Sequence, residues 1–269
     1  MLFFSYICTE FTVSLMILTY YIVATLLILA YVLGSIPSAV WIGKKYYGID
    51  IREHGSKNAG TTNMLRVLGK RAAIPVFALD FLKGFVAVTI VDLVKYDDFF
   101  ATAPNENWFY IMRFAALSCA VLGHIFPIFA NFRGGKGVAT LVGGVMAVNA
   151  PLVLLCLGVW LIVLMVTHYV SLASMTAGVF YPIFTLISPK VGHLPPFIIF
   201  SVIVAILLIF THRKNIKRLR EGTESKIYVW KSRKVREAQQ HQAEAQQAEE
   251  QSLEEVVEEL VDEFMEDNK

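Results

Sequence analysis

A long uncharged run near the N-terminus constrains the fold of this chain more than any other feature. Residues 11–33 read FTVSLMILTYYIVATLLILAYVL, and residues 196–211 form a second run without a charged side chain. A run of about 18 or more apolar residues is long enough to cross the hydrocarbon core of a bilayer as a helix. Since 56% of the 269 residues are hydrophobic and 17% are charged, the sequence predicts a membrane protein with several spans.

The first run could also belong to a secretory signal peptide. Such peptides begin with a positively charged region, but residues 1–16 contain no Lys or Arg. We therefore expect the run to be a retained helix. The three cysteines, Cys8, Cys119 and Cys156, have no metal-ligand spacing, so we expect neither a disulfide framework nor a metal site.

Seven hydrophobic segments follow one another along the chain. Asn149 and Pro151 lie between the fourth and the fifth, and a proline ends a helix and restricts the residue before it. We therefore predict an all-α integral membrane protein with seven transmembrane helices, some of them short. The segments are 17–40, 72–94, 109–130, 137–149, 151–167, 169–188 and 195–211.

Lys and Arg are concentrated in some of the connections and nearly absent from others. The connection 41–71 and residues 213–236 are rich in both, whereas the chain before the first segment has none. Cytoplasmic loops of membrane proteins carry such an excess. With seven spans, the N-terminus is then outside and the C-terminus inside, and the loops with the polar motifs face the cytoplasm.

The net charge of +2 hides a segregation of charge. Residues 237–269 hold twelve Asp and Glu against one Lys, a balance of −11, so the rest of the chain carries +13. Apolar residues between Leu253 and Phe264 recur at helical spacing, which predicts an amphipathic helix with an acidic face. We divide the chain into an N-terminal extension (1–16), a membrane domain (17–224) and a cytoplasmic basic-then-acidic tail, partly helical or disordered (225–269), whose partner the sequence does not identify.

Four polar clusters on the predicted inner face share one chemical character. They are rich in glycines, hydroxyls, amides and cations and poor in carboxylates, and they are residues 52–63, 123–137, 168–175 and 211–225. Glycine lets backbone N–H groups approach an anion, and Lys and Arg supply positive charge. Residues 134–137, Gly-Gly-Lys-Gly at the predicted start of a helix, are therefore predicted to form an anion-binding loop.

Common catalytic motifs do not account for these clusters. Ala130 and Gly137 stand where a P-loop needs Gly and then Ser or Thr, so nucleotide triphosphate hydrolysis is disfavoured. No histidine begins an H-x-x-x-x-D motif, and G-x-S-x-G is absent. Asp80 and Lys83, three residues apart in the second segment, are predicted to form an internal ion pair. Gly143, Gly144 and Gly158 are predicted to serve helix packing.

Five stretches together resemble one family, the PlsY-type acyl-phosphate:glycerol-3-phosphate acyltransferases of bacteria. They are residues 34–44, 52–69, 123–140, 169–175 and 212–224, and the likeness covers about residues 20–224. The resemblance implies seven transmembrane helices with an external N-terminus. It also implies acyl transfer from a fatty acyl phosphate to the sn-1 hydroxyl of glycerol 3-phosphate, which yields lysophosphatidic acid and phosphate early in phospholipid synthesis. Substrate-assisted catalysis without a dedicated protein base is expected.

The same resemblance assigns site residues by their place in these stretches. The catalytic candidates are Ser35, Arg52, Lys136, His212 and Asn215, and all except Ser35 are expected to grip glycerol 3-phosphate. The substrate-binding candidates are Ser56, Asn58, Thr62, Asn63, Gly134, Gly135, Gly137, Ser171, Ser174, Arg213 and Glu224. Glu224 is expected to orient basic partners. The expected partners are the two substrates and membrane lipid, with no nucleic acid, cofactor or metal.

Two other classes of protein remain open on the residues alone. A transporter of a phosphorylated small molecule would use the same cations, but its binding site should lie near the bilayer midplane between inverted repeats. The polar clusters of this chain gather at one face instead, which favours an enzyme at the membrane surface. A membrane scaffold would act through partners of the acidic residues 237–269.

Overall fold

The computed structural model describes residues 2–94 and 106–228, and every regular element in these ranges is helical. Residues Met1–Ile227 form one compact unit; of the second, Tyr228–Lys269, the structure describes only Tyr228. The tail helix predicted at 253–264 lies outside the described residues. The described helices are α1 (Leu2–Gly34), α2 (Ser38–Tyr47), α3 (Thr61–Val67), α4 (Lys70–Val94), α5 (Glu106–Ile125), α6 (Val138–Val148), α7 (Ala150–Thr167), α8 (Val170–Ile187), α9 (Pro195–Thr211) and α10 (Arg213–Arg220).

Several helices of the described part are long and apolar enough to cross a membrane. Five segments are long and apolar enough individually. The pair of α9 and α10, bent by 57° at the break between them, adds a sixth if it counts as one span. The short helix α6 is apolar as well. The chain is therefore a multi-pass membrane protein whose described part is all-helical. The five single spans are Ile17–Tyr47, Lys70–Leu93, Asn107–Ala130, Ala150–Thr167 and Val170–Ile187.

Most predicted segments agree with the helices to within a few residues, but the first does not. The first candidate span begins at Ile17, as predicted, whereas the helix α1 itself begins at Leu2. It ends at Gly34 rather than at residue 40, and α2 begins after Pro37, which has no N–H for a continuing helix. The break predicted at 149–151 is confirmed: the Asn149 side chain accepts the N–H of Leu152 at 3.2 Å and caps α7.

Close backbone contact holds α4 against α6. A Cβ atom on Gly84 would lie 2.0 Å from the Thr140 carbonyl oxygen, and one on Gly143 would lie 1.9 Å from that of Phe81. Only glycine permits this approach, so the packing role predicted for Gly143 is confirmed. The same prediction is wrong for Gly158, since a Cβ there would meet no atom within 4 Å.

A buried polar network fixes the junction between α1 and α2 against α4. The predicted ion pair is confirmed, with Lys83 Nζ 2.7 Å from Asp80 Oδ1. Lys83 also donates to the Ile36 carbonyl at 2.9 Å, and the Ser38 hydroxyl donates to Asp80 Oδ1 at 2.6 Å. Charged groups persist in an apolar interior only when paired and hydrogen-bonded in this way. The network therefore holds the N-terminal motifs at one end of the helix bundle.

Candidate active site

A cavity of about 400 Å³ lies between the N-terminal motif segment and the C-terminal helices. Its polar end is formed where α3, the start of α6, the start of α8 and the end of α9 meet. Its apolar part extends between the membrane helices and is lined by residues that include Leu141, Val145, Tyr181, Val204 and Leu208. The cavity therefore offers a polar pocket continuous with a slot for a hydrocarbon group.

The glycine-rich loop before α6 is attached to the end of α5. The N–H of Gly134 donates to the Ile125 carbonyl and that of Gly135 to the His124 carbonyl, both at 3.1 Å. Gly137 has φ +80°, a left-handed conformation that favours glycine. Two N–H groups of the predicted anion loop are thus already used. Among the described residues, the N–H groups of Lys136 and Gly137 donate to no backbone carbonyl.

Lys136 is held at the polar end by a chain of hydrogen bonds. Its ammonium donates to Asn215 Oδ1 at 2.5 Å, and Asn215 Nδ2 donates to Glu224 Oε1 at 2.7 Å. Glu224 also accepts from the Ser171 hydroxyl at 2.8 Å and from Arg218 Nε at 2.7 Å. This buried carboxylate therefore joins the start of α8 to α10 and, through Asn215, orients the lysine.

The surroundings shift the pKa values of Lys136 and Glu224, the charged groups at the two ends of this chain of hydrogen bonds. Burial lowers the pKa of Lys136 to about 8; Glu224 opposes this shift, whereas Arg218 and Arg66 add to it. Burial works against ionisation of Glu224, but its hydrogen bonds from Arg218, Asn215 and Ser171 outweigh this and lower its pKa. The site therefore combines an anionic Glu224 with a lysine whose pKa, about 8, lies well below the usual lysine value.

His212 follows the last residue of α9 and lines the cavity. Its ring Nδ1 lies 2.7 Å from the Leu208 carbonyl oxygen, and a carbonyl can only accept. Nδ1 therefore carries the proton, and Nε2 is the nitrogen left for another partner.

The structure brings most predicted residues around the cavity. Those that line it are Ser56, Asn58, Thr62, Asn63, Lys136, Gly137, Ser171, Ser174, His212 and Glu224. Asn215 belongs with them through its bond to Lys136. The Asn63 amide is fully used within its own segment: Oδ1 accepts the Ser56 N–H, and Nδ2 donates to the carbonyls of Ile51 and His54.

The other predicted residues lie outside the cavity lining. Arg52 forms a bidentate pair with Asp50, with Nε at 2.9 Å and Nη2 at 2.7 Å, and donates to the Ala130 carbonyl at 2.8 Å. Ser35 is fully buried and donates to the Tyr31 carbonyl. Arg213 is exposed and stacks over the Phe210 ring. Gly134 and Gly135 also lie outside it, so the substrate contacts predicted for these five residues stay predictions.

The cavity lining also includes residues that were not among the predicted site residues, and three of these have acidic, basic or imidazole side chains: Arg66, Asp80 and His124. Arg66 follows Thr62 by four residues on α3, so the two share a helix face, and this spacing was the available sequence signal. His124 Nδ1 lies 3.5 Å from Asp80 Oδ1 and 3.3 Å from the Thr140 hydroxyl. Nothing in the sequence indicates that α4, α5 and α6 meet there.

Fold and site together define a class: an integral membrane protein whose cavity suits an anionic headgroup joined to a hydrocarbon chain. A family model described as "Glycerol-3-phosphate acyltransferase" matches residues 24–222. The glycerol-3-phosphate acyltransferase of Thermoanaerobacter sp. (strain X514) is 46% identical over 200 residues, which cover 74% of this chain and 93% of the relative. That of Bacillus subtilis (strain 168) is 44% identical over 207 residues, which cover 77% and 98%.

Two solved structures similar to this chain belong to the same class of enzyme. Both are of PlsY (YgiH), described as an integral membrane glycerol 3-phosphate acyltransferase. The glycerol 3-phosphate form has a TM-score of 0.65 and 37% identity and covers 77% of this chain and 96% of that one. The lysophosphatidic acid form has a TM-score of 0.62 and 38% identity, with 77% and 95% covered. The chain belongs to the glycerol-3-phosphate acyltransferase family, as the resemblance predicted.

Proposed function

We propose that this protein transfers a fatty acyl group from acyl phosphate to the sn-1 hydroxyl of glycerol 3-phosphate, early in phospholipid synthesis. The observation that carries the proposal is that one and the same cavity has a lysine-bearing polar end and an apolar slot. The PlsY neighbours are described in forms with glycerol 3-phosphate and lysophosphatidic acid, an acceptor and a product of such a reaction.

The reaction requires the protein mainly to position the two substrates and to stabilise their negative charge. The sn-1 oxygen forms a bond to the acyl carbon, the bond from that carbon to the phosphate oxygen breaks, and the hydroxyl proton ends on the released phosphate. Since phosphate is a competent leaving group, positioning and electrostatic stabilisation supply the catalysis. Lys136, His212 and Asn215 would hold the acceptor, while Ser56, Asn58 and Thr62, which line the cavity, would hold the acyl phosphate.

We further propose seven spans in the plasma membrane, with the N-terminus outside and the cavity's polar end at the cytoplasmic face. The count includes α6 as a short span and α9 as the last span, with the basic α10 following it at the cytoplasmic face. The distribution of Lys and Arg supports this orientation, since the polar end is built from the connection 41–71 and the segment after residue 211, both rich in these residues.

The direct test is product formation by the purified protein in detergent or lipid. It is given palmitoyl phosphate and labelled glycerol 3-phosphate, and lysophosphatidic acid and released phosphate are followed, with an acyl-coenzyme A arm in parallel. We expect product from acyl phosphate alone and its loss in Lys136→Ala, with Lys190→Ala, an exposed lysine outside the cavity, as control. A folded protein that forms no product from either donor would refute the proposal, and a phosphate-ester transport assay would follow.

A further inference from the structure

The face of α8 that lines the cavity carries polar groups at two depths. Four cavity-lining residues of this helix recur at i, i+3, i+7 and i+10: Ser171, Ser174, Gly178 and Tyr181. The two serines lie near the polar end, whereas Tyr181 follows Ser171 by ten residues, about 15 Å along the helix axis. Tyr181 is therefore a polar side chain in the apolar slot, and neither the motif stretches nor the hydrogen-bond chain around Lys136 includes it.

The hydroxyl group of Tyr181 has no hydrogen-bond partner among the described residues. The residue is 4% exposed, and its hydroxyl oxygen is buried. Buried polar atoms are nearly always hydrogen-bonded, and an unpaired one is costly in the hydrocarbon region of a membrane, where bulk water cannot serve as a partner. A phenylalanine would fill nearly the same volume without this cost, so the hydroxyl group indicates a partner that a ligand supplies.

The surroundings of Tyr181 narrow the kind of ligand. The buried apolar residues that share both its core cluster and the cavity lining are Leu141, Val145, Val153, Val204 and Leu208. These side chains suit a hydrocarbon chain, but a saturated chain has no atom that can pair with the hydroxyl group. A hydroxyl group on the chain, at the depth of Tyr181, can both donate and accept a hydrogen bond.

We propose that Tyr181 is a specificity-determining residue of the slot, which favours an acyl donor with a hydroxylated chain over the saturated donor of the same length. The inference rests on the proposed function, because it takes the acyl chain of the donor as the occupant of the slot. Tyr181 pairs with the chain hydroxyl group far from the reacting headgroup. It therefore acts on the choice of donor and takes no part in the acyl transfer itself.

The test compares Tyr181→Phe with the control Tyr110→Phe, which removes the hydroxyl group of an α5 tyrosine outside the cavity lining. For each protein, kcat/KM is measured for palmitoyl phosphate and for hydroxypalmitoyl phosphates that differ in the position of the hydroxyl group. The wild type should favour the isomer whose hydroxyl group reaches Tyr181. We expect Tyr181→Phe to lower the ratio of kcat/KM for this isomer to that for palmitoyl phosphate by about tenfold, as for one buried hydrogen bond. Tyr110→Phe should keep the wild-type ratio.

Thermal unfolding supplies a second measurement that needs no turnover. Without ligand, Tyr181→Phe should unfold at the wild-type Tm or above it, because the hydroxyl group that it removes has no partner. Hydroxypalmitate should raise the Tm of the wild type more than palmitate does, and this difference should shrink in Tyr181→Phe.

The outcomes separate this inference from the proposed function. If the wild type uses palmitoyl phosphate but the ratio for every isomer is the same in Tyr181→Phe, the reaction stands and the inference is overturned. An equal change of the ratio in both variants, or a lower Tm with an unchanged ratio, would overturn it as well. If the wild type forms no product from any donor but hydroxypalmitate stabilises it in a Tyr181-dependent way, the hydroxyl-binding slot stands and the proposed reaction falls.

Discussion

Glu224 illustrates how one buried side chain sets the geometry of a site. Its carboxylate accepts hydrogen bonds from Ser171, Asn215 and Arg218, which come from α8 and α10. Asn215 in turn accepts a hydrogen bond from Lys136, so the position of Glu224 influences that of the lysine. A carboxylate is required because all three partners donate. Removing the charge leaves an Arg218 cation and two polar groups poorly paired, so this residue influences both the fold and the placement of the lysine.

We expect Glu224→Gln to lose activity and stability together. Leaving buried partners unsatisfied costs about 1–3 kcal/mol in the free energy of unfolding, and a displaced Lys136 lowers kcat/KM by about tenfold or more. Steady-state kinetics measure the loss of kcat/KM, and thermal unfolding measures the loss of stability. The matched control is Glu221→Gln, which removes an exposed carboxylate 3.7 Å from Lys217; surface pairs contribute little. Equal effects of the two substitutions would contradict the orienting role of Glu224.

Lys136 should give the reaction an alkaline limit. Its pKa is lowered to about 8 by burial, so the ammonium is charged below that pH and loses its proton above it. Because a neutral amine no longer attracts phosphate, kcat/KM should fall as pH rises through about 8, and a bound dianion should move the fall in kcat to higher pH.

The pH profile of kcat/KM checks this expectation, with Lys136→Arg as the comparison. A guanidinium does not titrate in this range, so whatever activity that variant retains should show no decline near pH 8. A wild-type profile that stays flat through pH 8, or an identical decline in both proteins, would show that another group is responsible.

At the scale of helices, α8 and α9 shape the apolar slot through one glycine. Gly178 lines the cavity, and a Cβ atom there would lie 2.5 Å from Leu208 Cδ1. Leu208 lies one turn before His212, near the polar end of α9, so α8 can approach α9 closely only while position 178 has no side chain. The width of the slot is therefore set by the contact between these two helices.

Gly178→Leu should shift donor preference towards shorter acyl chains, because the added side chain occupies slot volume and displaces Leu208. The measurement is the ratio of kcat/KM for palmitoyl phosphate to that for a short-chain acyl phosphate, and we expect it to fall about tenfold, the order of a few lost methylene contacts. Gly158→Leu is the matched control, since a Cβ on this α7 glycine would meet no atom within 4 Å. An unchanged ratio in Gly178→Leu, or the same change in both variants, would show that the acyl chain of the donor does not occupy this slot.

At the scale of the whole molecule, α4 is the element that brings distant motifs together. It packs against α1, α5 and α6 and carries the Asp80–Lys83 pair that holds the start of α2. The cavity then draws its polar lining from residues as far apart in sequence as Ser56 and Glu224. A site assembled from several helices needs this rigid centre, since no single described helix places all of its groups.

The sequence by itself determined the class of multi-pass membrane protein, the break before Pro151, the polar character of the motif loops and the family. These properties are local: they depend on run length, helix-breaking residues and side-chain type, all of which act within a few positions along the chain. The buried Asp80–Lys83 pair, three residues apart on one helix, was predictable for the same reason.

Only the tertiary structure decided which polar groups share the cavity. Arg52 pairs with Asp50 and the Ala130 carbonyl, whereas Arg66 lines the cavity without a carboxylate. The N–H groups of Gly134 and Gly135 bind α5 carbonyls. The partner of a cation or an N–H group is chosen by three-dimensional distance, since both Coulomb energy and hydrogen-bond geometry fall off within a few ångströms. Residue type shows that a group seeks a partner, but only packing determines which one it meets.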